Sequence, residues 1–224
     1  MTTNLTEWEQ EIAGMVPGCP AFLITRQVRE CVKDFCRETL LWDYTLDEIS
    51  VVDGTKNYTL SIPSVQQGQI IEIKNIKYKD DGEDDDQYSS LSPIVETDMD
   101  MTDSGSWEFA DGGTPSKFYF DMKTDTVYLY PIPGEDSASG LRVKVYLMPT
   151  EDATYVQDFI YDKYKQLVTD GAVASLLRIH GQPWSDPGMS QFYNSEYERK
   201  RDNLKMKKWT GFTNKLLRII PRGV

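Results

Sequence analysis

The residues that first invite a chemical reading are Asp80, Asp81, Glu83, Asp84, Asp85 and Asp86, a run of carboxylates broken only by Gly82. Clustered carboxylates are what hard cations require, and a metal held there would activate water for hydrolysis. The run lacks the alternating acidic ligands, the glycine at the sixth place and the glutamate at the twelfth that a helix-loop-helix calcium site needs. It also lacks an accompanying lysine-bearing phosphate loop. A nuclease using Asp84 and Asp86 with magnesium or manganese is therefore the remote alternative, and no metal is assigned. His180 is the only histidine. It is expected at a helix C-terminus, where the backbone's negative end favours a protonated ring, and not in a nucleophilic pair with a cysteine. The chain contains no G-x-G-x-x-G, Walker loop, G-x-S-x-G or H-E-x-x-H. The expectation is a protein that is not an enzyme, with no catalytic residue and no cofactor. The acidic run then reads as a solvated, channel-facing or partner-repelling loop within a long connection, residues 79–113.

Charge is distributed unevenly. The formal net charge is −12. Residues 43–158 hold 24 acidic against 8 basic side chains, whereas residues 198–224 hold 9 basic against 2 acidic. An acidic body with a cationic end points to an acidic partner surface or nucleic acid, and the plain alternative is a solvated helix face with a basic tail. At 224 residues the chain is long enough for one domain or two modest ones. Mean hydropathy is −0.51 and no apolar run reaches the roughly 18 residues of a membrane span, so a soluble protein with no membrane partner is expected. The first residues lack a basic n-region and an apolar h-region, so no export signal is expected. Cys19, Cys31 and Cys36 have no metal-like spacing and suggest buried thiols in a reducing compartment.

The elements that must position these groups begin with a capping box, Thr6 to Glu9, leading Leu5, Trp8, Ile12 and Met15 at helical spacing. Pro17-Gly18-Cys19-Pro20 breaks the chain. A longer helix is predicted from about Ala21 to Leu41, with Ile24, Val28, Cys31, Val32, Phe35 and Cys36 inward and Arg26, Arg29, Lys33, Arg37 and Glu38 outward. After Trp42 the period falls to two. Strands are predicted over Glu48–Asp53, about Tyr58–Ile62, Gln69–Tyr78, Lys117–Asp121 and Thr126–Tyr130, and along Leu141–Leu147, where Leu141, Val143, Val145 and Leu147 alternate with polar residues.

Helical spacing then returns. Val156, Ile160, Tyr164, Leu167, Gly171, Ala174 and Leu177 form one stripe, and the small residues Gly171, Ala172 and Ala174 would let a second helix approach closely. That helix is predicted to stop at Gly181. Gly181, Pro183, Trp184, Ser185, Asp186 and Pro187 make the junction, with Ser185 and Asp186 as N-cap residues and Pro187 opening a helix that carries Met189, Tyr193 and Tyr197. The predicted fold class is α+β: a helical bundle from the N- and C-terminal helices, an inserted antiparallel β module, and an extended C-terminal arm. The boundaries are 1–44 for the first helices, 45–150 for the β module, 151–208 for the helical hairpin and 209–224 for the arm. The flanking helices are expected to pack together because neither apolar stripe has another core to face.

Two stretches resemble a known family. Pro17-Gly18-Cys19-Pro20 followed by Leu23, Arg29, Phe35-Cys36-Arg37, Thr39-Leu40 and Trp42 is one. The other is Phe159-Ile160-Tyr161-Asp162-Lys163-Tyr164, Gly171-Ala172, Leu176-Leu177 and Pro183-Trp184-Ser185-Asp186-Pro187 ahead of Tyr193. Together they are similar to the head-to-tail adaptor (connector) proteins of tailed bacteriophages. The resemblance implies a virion structural protein at the head-tail junction, made in the host cytoplasm and forming a dodecameric ring with copies of itself. It implies contacts with the portal protein above and a tail or nozzle protein below, and a channel through which double-stranded DNA passes without specific binding. It further implies that a C-terminal segment reaches the portal. The end of this chain is too apolar for a free tail, so the arm expected to dock there is read as Trp209, Phe212, Lys215, Leu216, Leu217, Arg218, Ile219, Ile220 and Arg222. Asp and Glu facing a lumen would keep phosphates from sticking. The alternative is a basic-tailed DNA-binding or DNA-packaging accessory protein.

Overall fold

The computed structural model describes residues 2–80, 87–95, 112–209 and 211. Described residues of Met1–Leu41, Val65–Gly68 and Met148–Val224 form one compact unit, and those of Trp42–Ser64 and Gln69–Leu147 form another. The architecture is mixed α+β, with four α-helices among the described residues.

The helical unit opens with strand β1 (Thr2–Asn4), which pairs antiparallel with β11 (Tyr155–Gln157), Thr3 opposite Val156. Thr3 Oγ1 donates to Asp158 Oδ1 at 2.8 Å, and the Leu5 N–H reaches Thr154 O at 2.9 Å. Val156 therefore belongs to a strand and does not start the helical stripe. Residues Leu5–Trp8 form a 3-10 turn leading into helix α1 (Glu9–Met15). The expected Thr6–Glu9 capping box is absent. Asn4 Oδ1 takes the Thr6 N–H at 3.0 Å, and Glu9 instead accepts the Thr25 hydroxyl. Asn, like Thr, has a short side chain able to cap, and here the residue two places earlier holds the extended backbone a cap needs.

Helix α2 (Ala21–Thr39) buries Ile24, Val28, Cys31, Val32, Phe35 and Cys36, the stripe its spacing predicts. It ends on Leu40, whose φ of +50° is a left-handed C-cap. Lys33 departs from its expected outward place: it is 5% exposed, and its ammonium pairs with the Glu151 carboxylate. Beside it Arg29 Nε donates to Ala153 O at 2.8 Å. These two cations bind the 151–153 segment to α2 at the surface, a contact that periodicity does not foresee.

Helix α3 (Asp158–Leu177) is the centre of the unit. From Leu167 to Leu177 every residue except Ser175 is buried, so the single expected stripe becomes a helix covered on all sides. Helix α4 (Pro187–Trp209) runs back along it and buries Ser190 and Tyr197, while Met189 is 44% exposed and stands off the expected inward row.

In the β unit the central strand is β10 (Ser137–Pro149), whose Leu141, Val143, Val145 and Leu147 are fully buried as their alternation predicts. It is flanked by β2 (Asp43–Thr45) and β3 (Ile49–Val51) and by β5 (Gly68–Tyr78), with β6 (Ser89–Ser90) at the far edge. A second sheet has the order β4 (Asn57–Thr59), β9 (Thr126–Tyr130), β8 (Lys117–Asp121), β7 (Ser92–Pro93). Strands β8 and β9 occupy the predicted hairpin, with Tyr119 opposite Tyr128. Among the described residues β1–β11, β2–β10, β3–β10, β4–β9, β5–β6 and β8–β9 pair antiparallel, whereas the two residues of β7 against β8 and an isolated bridge between Gly113 and Pro133 are parallel. Gly140 sits where a β-carbon would come within 2.6 Å of Val51 Cγ2, so the β3–β10 approach depends on its having none.

Candidate functional site

The hairpin junction is held by backbone groups that the two helices exchange. Helix α3 ends at Leu177, four residues before Gly181. The reason is that the orphan Leu177 carbonyl is satisfied from the leader of α4: Asp186 N–H reaches it at 3.1 Å and Ser185 Oγ at 3.4 Å. Gly181 still takes the left-handed conformation, φ +78°, within the connecting turn, and His180 lies in that turn and not on the helix. Asp186 Oδ1 accepts the Met189 N–H at 3.0 Å, which makes Asp186 the N-cap, and Pro187 is the first helical residue. Trp184 is 9% exposed, and its indole N–H has no partner among the described residues. Pro183 completes the turn.

Below the junction, α2, α3 and α4 meet around Gly171. A β-carbon on that residue would lie 2.4 Å from Cys31 Sγ and 2.9 Å from Tyr197 Cδ2, so the expected close approach of a second helix at the small residues is present. The Tyr197 hydroxyl donates to Asp34 Oδ2 at 2.6 Å, and the Arg201 guanidinium bonds the same carboxylate at 3.1 Å. Burial, with the Asp34 carboxylate beside it, pushes the Tyr197 phenol well above its ordinary value, so it remains a donor. One turn away the buried Asp170 accepts from Gln166 Nε2 at 2.9 Å and pairs with Lys200. A buried carboxylate left without those partners would be costly, and the Asp170–Lys200 pair therefore fixes the α3–α4 register. Sequence reading found the small residues here but not the polar network. Tyr197 and Arg201 share one face of α4 at a spacing of four, but Asp34 and Asp170 lie on other helices far off in the chain, and no periodicity pairs them with that face.

Burial raises the thiols of Cys31 and Cys36, while Cys19 is half-exposed near the start of α2. In native protein iodoacetamide is expected to modify Cys19, leaving Cys31 and Cys36 untouched until denaturant is added. Peptide mass spectrometry reads the three sites separately, and native labelling of Cys31 at the Cys19 rate would contradict this packing.

Among its described residues, the cationic end is largely occupied at home. Arg199 pairs with Glu196 at 2.6 Å, Arg201 with Asp34, and Lys205 with Glu38 at 3.0 Å. Lys208 Nζ donates to Leu40 O at 2.6 Å, satisfying the terminal carbonyl of α2. Trp209 ends α4 and is 82% exposed. The rest of the expected arm (Phe212, Lys215, Leu216, Leu217, Arg218, Ile219, Ile220, Arg222) lies outside the described residues, as do Asp81, Glu83, Asp84, Asp85 and Asp86 of the acidic loop. Asp80 is described: it is half-buried, and its Oδ2 accepts the Thr114 hydroxyl at 3.3 Å.

Among the described residues no group of three or more His, Cys, Asp or Glu is placed to hold a metal ion. No helix there is long and apolar enough to cross a membrane. Residues 6–214 match the family model described as SU10 adaptor protein. No curated protein matches the chain.

Proposed function

The chain belongs to the SU10 adaptor protein family of phage head-tail adaptors, and from that premise we propose that it forms a ring beneath the portal that joins capsid to tail. As a structural adaptor of the virion it meets other virion proteins. In the proposed arrangement these are further copies of itself in a dodecamer, the portal protein through the arm of residues 209–224, and a tail or nozzle protein on the opposite side. The acidic β unit faces the channel or the tail partner, where its carboxylates repel passing DNA.

The family match over nearly the whole chain carries this reading. The pairing of Arg199, Lys200, Arg201, Lys205 and Lys208 within their own unit supports it against the DNA-binding alternative, because phosphate affinity comes from cations available to exchange their counterions. The test is to mix purified chain with its portal and image the product. Full-length protein is expected to give rings on the portal, and a chain ending at residue 208 is expected to stay folded but fail to join it. Normal joining by the shortened chain removes the arm from the proposal. Absence of any ring with full-length protein, together with duplex affinity that falls steeply with salt, replaces it with the DNA-binding reading.

A further inference from the structure

Between α3 and α4, on the helical unit, lies a groove of about 390 Å³ with an apolar floor and a cationic rim. Tyr164, Leu167 and Leu204 make the floor, and Lys163, Lys200 and Lys207 stand around it. Among the described residues no carboxylate lines it. Lys200 leans onto the buried Asp170. The side chains of Lys163 and Lys207 are solvent-exposed at the opening. Lysine stems extend the apolar wall and lift the ammonium groups to its edge.

We propose that this groove is a docking site for an acidic segment of a partner protein, carrying one aromatic or aliphatic side chain between carboxylates. The apolar residue would fill the recess over Tyr164, Leu167 and Leu204, and the flanking carboxylates would meet Lys163 and Lys207. Charge selects this occupant over the chain's own C-terminal arm, since Lys215, Arg218 and Arg222 would bring like charge to a cationic rim. Shape selects it over duplex DNA: a phosphate cylinder is far wider than the recess and leaves its apolar floor uncovered. The acidic run at residues 80–86 of a second copy has no apolar residue to act as anchor. None of the groove's lining residues belongs to the proposed portal-docking arm, and the test does not depend on ring formation.

The probe is a fluorescein-labelled peptide of the form Asp-Glu-Phe-Asp-Leu-Glu, titrated against the full-length chain by anisotropy. Saturable binding is expected, weakening as salt rises and lost when the carboxylates are replaced by amides or the apolar residues by serine. The double variant Lys163→Glu, Lys207→Glu is expected to bind at least about tenfold more weakly, because rim charges now repel. Both positions are exposed, and an unchanged melting curve confirms that the variant is folded. Leu204→Ser is expected to weaken binding without changing its salt dependence. Failure of the peptide to bind overturns the proposal, as does equal binding to the folded double variant. Competition by a short DNA duplex at equal charge concentration also overturns it, by showing an unspecific cationic surface.

Discussion

Replacing Gly171 by leucine is expected to leave the helical unit without a stable fold. Even a β-carbon at this position would sit 2.4 Å from Cys31 Sγ and 2.9 Å from the Tyr197 ring, both well inside contact distance. Neither neighbour is free to retreat. Cys31 is buried within the α2 stripe, and Tyr197 is tethered through its hydroxyl to Asp34. Overpacking a tight core costs about 1–3 kcal/mol for small insertions, and a branched side chain that also separates Tyr197 from Asp34 adds the loss of a buried hydrogen bond. The sum rivals the roughly 5–15 kcal/mol by which whole domains are stable. Gly171→Ala should be milder, because alanine regains about 1 kcal/mol of helix propensity. Urea melts followed by far-UV circular dichroism measure both. A Gly171→Leu chain that melts with the wild type would mean that α2, α3 and α4 do not meet at this point. Pairing Gly171→Ala with Cys31→Ala should recover part of the loss, since the two sites share one contact.

How far the sequence reveals this molecule depends on which interactions have a period. The α2 stripe, the alternation along β10 and the β8–β9 hairpin are repetitive patterns that each bury one face, and all three stand where spacing places them. The misplaced features are local competitions or distant pairings. Asn4 displaces Thr6 as cap because backbone geometry, not residue type, decides between neighbouring candidates. Helix α3 stops early because Ser185 and Asp186 reach back for its last carbonyl, a contact across the turn that no stop signal encodes. Strand β1 is three residues long, too short for any period, and exists because β11 lies opposite it. Lys33 turns inward for a carboxylate more than a hundred positions away.

The same logic governs the candidate site. Junction residues such as Gly181, Asp186 and Pro187 act on their immediate neighbours and are readable from their types. In the polar cluster, Tyr197, Lys200 and Arg201 share α4, but tertiary packing brings Asp34 and Asp170 to them. A net count of charge also misleads about the cationic end. It registers nine basic residues from position 198 onward but cannot register that Lys205 and Lys208 close over the end of α2.

Trp8→Ala is expected to lower stability by about 3–5 kcal/mol, the range for emptying a buried aromatic site. Trp8 is fully buried in the 3-10 turn before α1, its ring meets Tyr161 of α3 edge-on at a centroid distance of 4.7 Å, and its indole N–H reaches the Lys165 carbonyl at 3.4 Å. One side chain thus ties the first ten residues to the central helix. Truncation would leave a void between them, and the apolar walls of such a void lose contacts that relaxation only partly restores. Trp8→Phe should cost less, because it keeps the edge-on ring contact and gives up only the second ring and the N–H. A double-mutant cycle with Tyr161→Leu isolates the ring–ring contact, for which about 0.5–1.5 kcal/mol is expected. If the N-terminal turn were an independent attachment, Trp8→Ala would melt that segment alone and leave the α3–α4 hairpin at its original midpoint. A single transition shifted as a whole shows instead that the two ends of the chain share one cooperative core.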